Sequence, residues 1–431
     1  MKAIEIPDAA MTAVPPVGTR LHIPFREAFL VALAAGLGYG FDAYAVNLLG
    51  LLAPTIAKDL GVTVKTIGLI GSIFLVGYTI GTVGFGILAD RIGRRDALGY
   101  SIILYGITTA LGGMTKSVGW FTFLRFLTGI GGAGELAVGA PYTAEMWPAR
   151  WRALGTGGVM FSLYSLGYIG CALAALYIVP RWGWQTTFIF AIVPALLVFA
   201  LRRMIQESVR YKHAREELQK LTEEEKRRHP RVSIWKIPGA KRRIVLGWMI
   251  YTANACGYWG ITVFLTVYQV RVFHLSPADA IFNAMMFYIV QVVLSYVGTA
   301  LSDVWGRRPA AILGALIMIT STVIAALTNS IDMFLVFGGI MIGMLGWLWG
   351  VSDTYMSEFF HTAQRGTGFG IMVGGGRTMS IFAPFLFGWG IEAYGPTVPL
   401  LASAGLWILT IVAYAMGPET HRRELEDVQI G

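Results

Sequence analysis

The sequence predicts an all-α membrane protein with twelve transmembrane helices in two pseudo-symmetric six-helix bundles. Three observations lead there. Of 431 residues, 55% are hydrophobic and only 14% charged, against about a quarter charged for ordinary soluble chains. About a dozen apolar runs reach the roughly 20 residues that a bilayer core demands of a helix, whose amides must there bond within their own segment. Charged motifs of the first half also return in the second at a constant offset.

The apolar runs place the spans at 27–52, 66–88, 97–114, 119–141, 153–178, 184–202, 243–270, 279–301, 309–328, 332–357, 366–390 and 398–417. The chain thus divides into a tail (1–26), a six-span bundle (27–202), a linker (203–242), a second bundle (243–417) and a closing tail (418–431). Residues ahead of Glu27 include Lys2, Arg20 and Arg26 but no short apolar stretch with a small-residue cleavage site, so span one is expected to stay in the product.

A net charge of +9 would suggest nucleic acid in a soluble chain. Here the basic residues lie between spans instead of forming a surface stripe, which excludes that partner. With the N-terminus cytoplasmic, the outer side holds only Lys58, Lys65, Lys116, Arg181 and Arg271, while Arg125 and Arg377 lie inside spans. That asymmetry puts both ends inside by the positive-inside rule, in a multi-pass protein of the cell's inner or plasma membrane. The polar stretch EELQKLTEEEKRRHPR reads as a cytoplasmic helix with a solvated face, the alternative being a regulatory or lipid-headgroup contact.

Cys171 and Cys256 sit in apolar stretches and build neither a disulfide framework nor a zinc pattern. His22, His213, His229, His274, His361 and His421 lie in tails, loops or span ends. With no HExxH, GxSxG or GxxxxGK[ST], neither a metal, a cofactor, an enzyme nor an ATPase is expected.

The repeat is carried by charges. Asp90, Gly93, Arg94 and Arg95 in ADRIGRR return as Asp303, Gly306, Arg307 and Arg308 in SDVWGRR, each 213 positions on. Tyr142, Glu145 and Arg152 in PYTAEMWPARWRALGTG return at the same offset as Tyr355, Glu358 and Arg365 in TYMSEFFHTAQRGTGFG. Two copies of one six-span unit, related by an axis along the membrane normal, account for this.

These loops, with RFLTGIGGAGE in span four and the closing GPETHRRELEDV, resemble the major facilitator superfamily over nearly the whole chain. Within it, GFDAYAVNLLGLLAP, QESVRY and GTGFGIMVGGGRTMSIFAP are similar to the proton-linked organic-acid and metabolite symporters, the aromatic-acid, sialate and niacin-type carriers. The span-seven segment YTANACGYWGITVFLTVY lacks the glutamine-rich features of sugar porters. Charges at the inner mouth pair when it shuts and hydrate when it opens, so Asp90, Arg94, Arg95, Glu145, Arg152, Asp303, Arg307, Arg308, Glu358 and Arg365 are expected to form a gating latch. The resemblance implies that the latch stabilises the outward-open state.

An ionised side chain at mid-depth costs about 2.5–3.5 kcal/mol on insertion scales, so those present usually line a polar cavity. Asp42 lies 15 residues after Glu27 and 16 before Lys58, about 23 Å from either at about 1.5 Å per residue. It is the proton-carrier candidate. Arg377, behind Gly374, Gly375 and Gly376, is also near mid-span. Its fork suits a carboxylate, supplied by a transported anion or by Asp42. Arg125 and Glu135 are ten apart, too far to pair along one helix, so each needs another partner; both are proton-coupling candidates. Asp353, five residues before Glu358, is expected near the inner interface, at a gate or hydrated rim.

Helical spacing puts Tyr251, Asn254 and Tyr258 on one face of span seven, Phe161, Tyr164 and Tyr168 on one face of span five, and Trp349 with Asp353 on span ten. The resemblance makes spans seven and ten line the cavity. Tyr251, Asn254, Tyr258, Trp347 and Tyr164 are therefore the expected substrate contacts beside Arg377, with packing or an interface belt the alternative for span five.

The function expected is secondary active transport by alternating access: proton-coupled import of a small organic anion, a carboxylate that an aromatic face could stack. A sugar or neutral-metabolite porter, a drug or cation exporter, and a non-transporting receptor are the alternatives. The partners expected are that anion, protons and membrane lipid, with the protein acting as a monomer.

Overall fold

Inside a bilayer, backbone donors must be met within the segment, and each expected span is helical in the computed structural model, which describes residues 23–220, 234–423 and 425. Residues 1–22, 221–233, 424 and 426–431 of the expected tails and linker lie outside the described residues.

Span one is Phe25–Leu51, two Val64–Ile92, three Arg94–Met114 and four Val118–Met146. Span five winds through Leu154–Met160, Phe161–Leu173 and Ala174–Ile178, the first and last stretches as π-helix. Span six follows as Val179–Ile189, bent at Gly183, and Ile192–Met204. A polar helix, Val209–Lys220, opens the linker. Span seven is Ala240–Phe273, eight Pro277–Trp305, nine Arg307–Leu327 and ten Ile331–Ser357. Span eleven comes in two pieces, Arg365–Ser380 and Ala383–Tyr394, as does span twelve, Thr397–Ala404 and Leu406–Met416. Among the described residues there is no strand, and nine helices are long and apolar enough to cross a membrane by themselves. Spans four, six and seven complete the twelve; four carries Arg125 and Glu135, and six is split.

Polar side chains start several of these helices. Thr63 and Ser117 accept from the amides of Thr66 and Trp120 to start spans two and four. Ser276 and Ser330, 213 positions later, do the same for spans eight and ten. Gly93 and Gly306 turn the chain between spans at φ 107° and 114°, a conformation that side-chain-bearing residues rarely adopt. The repeat therefore extends from the charged motifs to the caps and turns, and the fold is two pseudo-symmetric six-helix bundles.

The halves meet where span two packs on span eleven and span five on span eight, the two contacts being related by the repeat. Glycines permit this closeness: Gly157 and Gly350 lie backbone to backbone, as do Gly86 and Gly366. Leu69, Ile80, Leu197 and Phe385 are exposed on the outside, as lipid contact requires, and the mid-span charges Asp42, Arg125, Glu135, Asp353 and Arg377 are buried.

Candidate functional site

Asp42 is 1% exposed, at the centre of the bundle. Tyr78 of span two donates its hydroxyl to Asp42 Oδ2 at 3.0 Å. Asp42 Oδ1 has no hydrogen-bond partner among the described residues, and a Cβ at Gly132 of span four would overlap that oxygen. From the other half, Arg377 lies over the ring of Tyr78 with Cζ 3.9 Å from the centroid, and donates to Tyr251 Oη at 2.7 Å. Among the described residues no ion pair joins Asp42 to Arg377, and Arg377 Nε has no partner. Arg377 is thus a buried cation whose neighbours are phenols, a costly arrangement that an added carboxylate would relieve.

Asp353 corrects an expectation. It is 2% exposed, its Oδ1 is unpartnered, and it lies within electrostatic reach of Arg377, so it belongs to this central group and not to a hydrated rim. Its depth was measured from Glu358 as if that residue met water, yet Glu358 is itself buried.

Rings from both halves surround these charges. Trp349 meets Tyr251 and Tyr258 edge-on, each at 5.6 Å, and stacks on Phe161 at 5.8 Å. Tyr164 donates to Tyr258 Oη at 3.2 Å and packs 4.5 Å from Tyr39. Tyr168 stacks on Tyr288 at 3.7 Å. The span-five face therefore turns inward and is not an interface belt. Asn254 is buried beside Tyr251 and Tyr258 on span seven, and neither of its amide atoms has a partner among the described residues. Trp347 lies elsewhere: its Nε1 donates to Ala310 O at 2.9 Å and its ring fills the space against Gly298 and Gly314. Two positions along a helix turn a side chain by about 200°, so Trp349 and not Trp347 joins the central rings.

The expected proton-coupling pair on span four also divides. Both oxygens of Glu135 accept from Arg202 of span six, and Ser101 donates to Oε1 at 2.9 Å. Arg202 is further held by Leu98 O at 2.7 Å, which makes this a closed ion pair inside the first half instead of a free proton site. Among the described residues Arg125 has only neutral acceptors, Ala45 O, Thr109 Oγ1 and Thr128 Oγ1, each at 3.2 Å. It remains within electrostatic reach of Asp42.

At the end where span one starts and span twelve finishes, the duplicated motifs interlock. Asp90 accepts from the amides of Gly366 and Thr367 at 3.2 and 2.7 Å, capping span eleven of the other half. Asp303 accepts from Ala153 and Leu154 at 3.1 and 2.8 Å, capping span five in return. Glu145 Oε1 takes Arg94 of its own half at 3.0 Å and Arg365 of the other at 2.9 Å. Glu358 Oε1 takes Arg307 at 3.1 Å and Arg152 at 2.9 Å. Arg95 is set apart, its side chain paired with exposed Asp96 at 3.2 Å; Arg308 donates to Tyr414 O and Ala415 O within its own half.

Two carboxylates not foreseen as site residues complete this end. Glu207 accepts from the amides of Arg94 and Arg95, and Glu419 from those of Arg307 and Arg308, at 2.9–3.1 Å. Burial pushes the Glu207 carboxyl up, against the amides of Ser208, Arg94 and Arg95. Ser208 donates to Glu145 and Thr420 to Glu358. The signal was present in QESVRY and GPETHRR, which end spans six and twelve at equivalent places.

Comparison with known proteins agrees with this architecture. The family profile described as Major Facilitator Superfamily matches residues 29–286 and 247–429. The niacin transporter NiaP of Acinetobacter baylyi is 26% identical over 421 residues, covering 91% of this chain and 94% of that protein. The cis,cis-muconate transport protein of the same organism is 27% identical over 371 residues, covering 85% and 86%. The solved structure of the proton:xylose symporter XylE aligns with a TM-score of 0.75 at 20% identity, covering 93% of this chain and 98% of that one, a likeness of fold.

Proposed function

We propose, from the premise that the chain belongs to the Major Facilitator Superfamily, that it is a proton-coupled importer of a small organic anion, working as a monomer in the inner or plasma membrane with both termini cytoplasmic. The observation that supports this reading best is Arg377: a buried guanidinium at the junction of the halves whose only hydrogen-bond acceptor among the described residues is a phenol. A carboxylate would complete its fork.

Asp42, on the far side of Tyr78, carries the proton in this scheme. Anion and proton together neutralise Arg377 and Asp42, two of the central charges, and binding of either alone unbalances them and opposes closure. The rings of Tyr251, Tyr258, Trp349 and Tyr164 suit a planar acid, with the free amide of Asn254 reading a second polar group. The domain division at the linker gives two rocking bodies. The latch residues hold the cytoplasmic mouth shut, so this conformation is read as closed to the inside. A cation exporter would find Arg377 repulsive, and the relatives that carry niacin and muconate favour an acid.

The test is uptake of radiolabelled nicotinate and cis,cis-muconate into proteoliposomes under an inward pH gradient. Asp42→Asn should abolish uphill accumulation while leaving exchange of bound acid across the membrane. Full gradient-driven accumulation by that variant rejects the assignment.

A further inference from the structure

We infer that Tyr78 is the positioning residue that couples proton loading at Asp42 to anion loading at Arg377, which rests on the symport reading above. Tyr78 is 2% exposed. Among the described residues it alone both hydrogen-bonds Asp42, at 3.0 Å, and lies under Arg377, 3.9 Å from Cζ. It belongs to span two and Arg377 to span eleven, so this contact crosses the junction along which the halves part.

The chemistry of the phenol sets the coupling. A hydroxyl donating to a carboxylate favours its ionised form, and a cation over a ring draws on the ring's negative face. Arg377 thus leans on Tyr78 and Tyr251 while no anion is bound. An arriving carboxylate completes the fork of the guanidinium, which keeps its seat on the Tyr78 ring, and adds negative charge near Asp42, which then favours taking a proton from the open side. Protonated Asp42 no longer needs the phenolic hydrogen, and the Tyr78 hydroxyl is released from it while the ring stays under the guanidinium. The phenol keeps its own proton throughout, and no covalent bond changes apart from protonation of Asp42.

The other charged groups acting on Asp42 are Arg125 and Glu135 from span four and Arg377 from span eleven. Glu135 is committed to Arg202, and Arg125 to Ala45, Thr109 and Thr128. Tyr78 and Arg377 are the neighbours whose hydrogen bonds can change.

Two variants separate ring from hydroxyl. Tyr78→Phe keeps the ring under Arg377, and Tyr78→Leu removes both contacts. Initial uptake of nicotinate and cis,cis-muconate is measured against external pH at fixed membrane potential, with melting temperature in detergent as the check on folding. Without the phenolic donor Asp42 holds its proton to higher pH. The alkaline midpoint of uptake should therefore rise by about one unit in both variants, the roughly tenfold change expected on losing a hydrogen bond to a charged group. Tyr78→Phe should leave nicotinate KM at low pH within about threefold, whereas Tyr78→Leu should raise it about tenfold. A midpoint that stays put while rates fall at every pH is the signature of a structural tyrosine and overturns the coupling role. Uptake by the unmodified protein that ignores pH, or fails for both acids, overturns the symport reading and this inference with it.

Discussion

Replacing Glu358 by glutamine tests the latch at a fully buried point. Glu358 Oε1 lies 2.9 Å from Arg152 Nη1 and 3.1 Å from Arg307 Nη2, with side-chain exposure of 0% on all three. Breaking a buried pair costs about 3–5 kcal/mol because the orphaned charge stays in place. Arg307 keeps Asp303 at 2.6 Å, so the lower figure, about 3 kcal/mol, is the appropriate one. That cost falls on the shut state alone, since the open mouth hydrates both partners, and the shut-to-open ratio should drop roughly 100-fold.

The assay is maleimide labelling of Thr156→Cys in a background with Cys171→Ala and Cys256→Ala. Thr156 is 1% exposed beside the Gly157 and Gly350 contact of the two halves. With an impermeant reagent on the cytoplasmic side, Glu358→Gln should raise the labelling rate by roughly the same factor. Asp96→Asn is the control: the Arg95–Asp96 pair is 33% and 41% exposed, and such pairs contribute about 0–1 kcal/mol. Equal rates in Glu358→Gln and the unmodified protein refute the latch. Acid gives a second check. Burial opposes the Glu358 charge, but Arg307 and Arg152 outweigh burial and hold its carboxyl below the usual range. A depressed carboxyl stabilises the shut state above its hydrated value and loses that contribution only as pH falls through the depressed one. Labelling, normalised at each pH to that of the same cysteine in denatured protein because the thiolate is what reacts, should then be flat from about pH 6 to about pH 8.

Arg377→Ala should weaken binding of nicotinate roughly 100-fold, the loss of two hydrogen bonds to a charged group, while the neutral amide nicotinamide changes less than about threefold; equal losses in calorimetry mark a structural arginine. Gly38→Ala puts a Cβ onto the Arg202 guanidinium and the Glu135 carboxylate, and should destabilise the fold by about 1–3 kcal/mol. Gly50→Ala, where a Cβ meets open space, is its control, and equal melting temperatures for the two variants would dissociate Gly38 from the Glu135 pair.

The twelve spans were legible because a bilayer forces hydrophobic length into the sequence, and the repeat because its charges and turning glycines recur at one offset. The central, buried placement of Asp42 and Arg377 was legible through their distance from flanking charges. What stayed hidden is which helix faces which. Arg202 reads as one more basic residue at a span end, yet it turns inward onto Glu135. Asp90 and Asp303 read as partners of the arginines four positions on, and nothing local says that each also caps a helix of the opposite half. Tyr78 carries no motif, and only the packing of span two on span eleven reveals it.

That exchange of caps bears on how the protein is made. Synthesis proceeds from the N-terminus, so the amides of Ala153 and Leu154 emerge long before their acceptor, Asp303, which lies 150 positions downstream of Ala153. Gly366 instead arrives to find Asp90 already in the membrane, 276 positions upstream. The first bundle therefore waits, with its fifth helix unfinished at one tip, until the eighth has been inserted. Docking of the two bundles is the step that completes both.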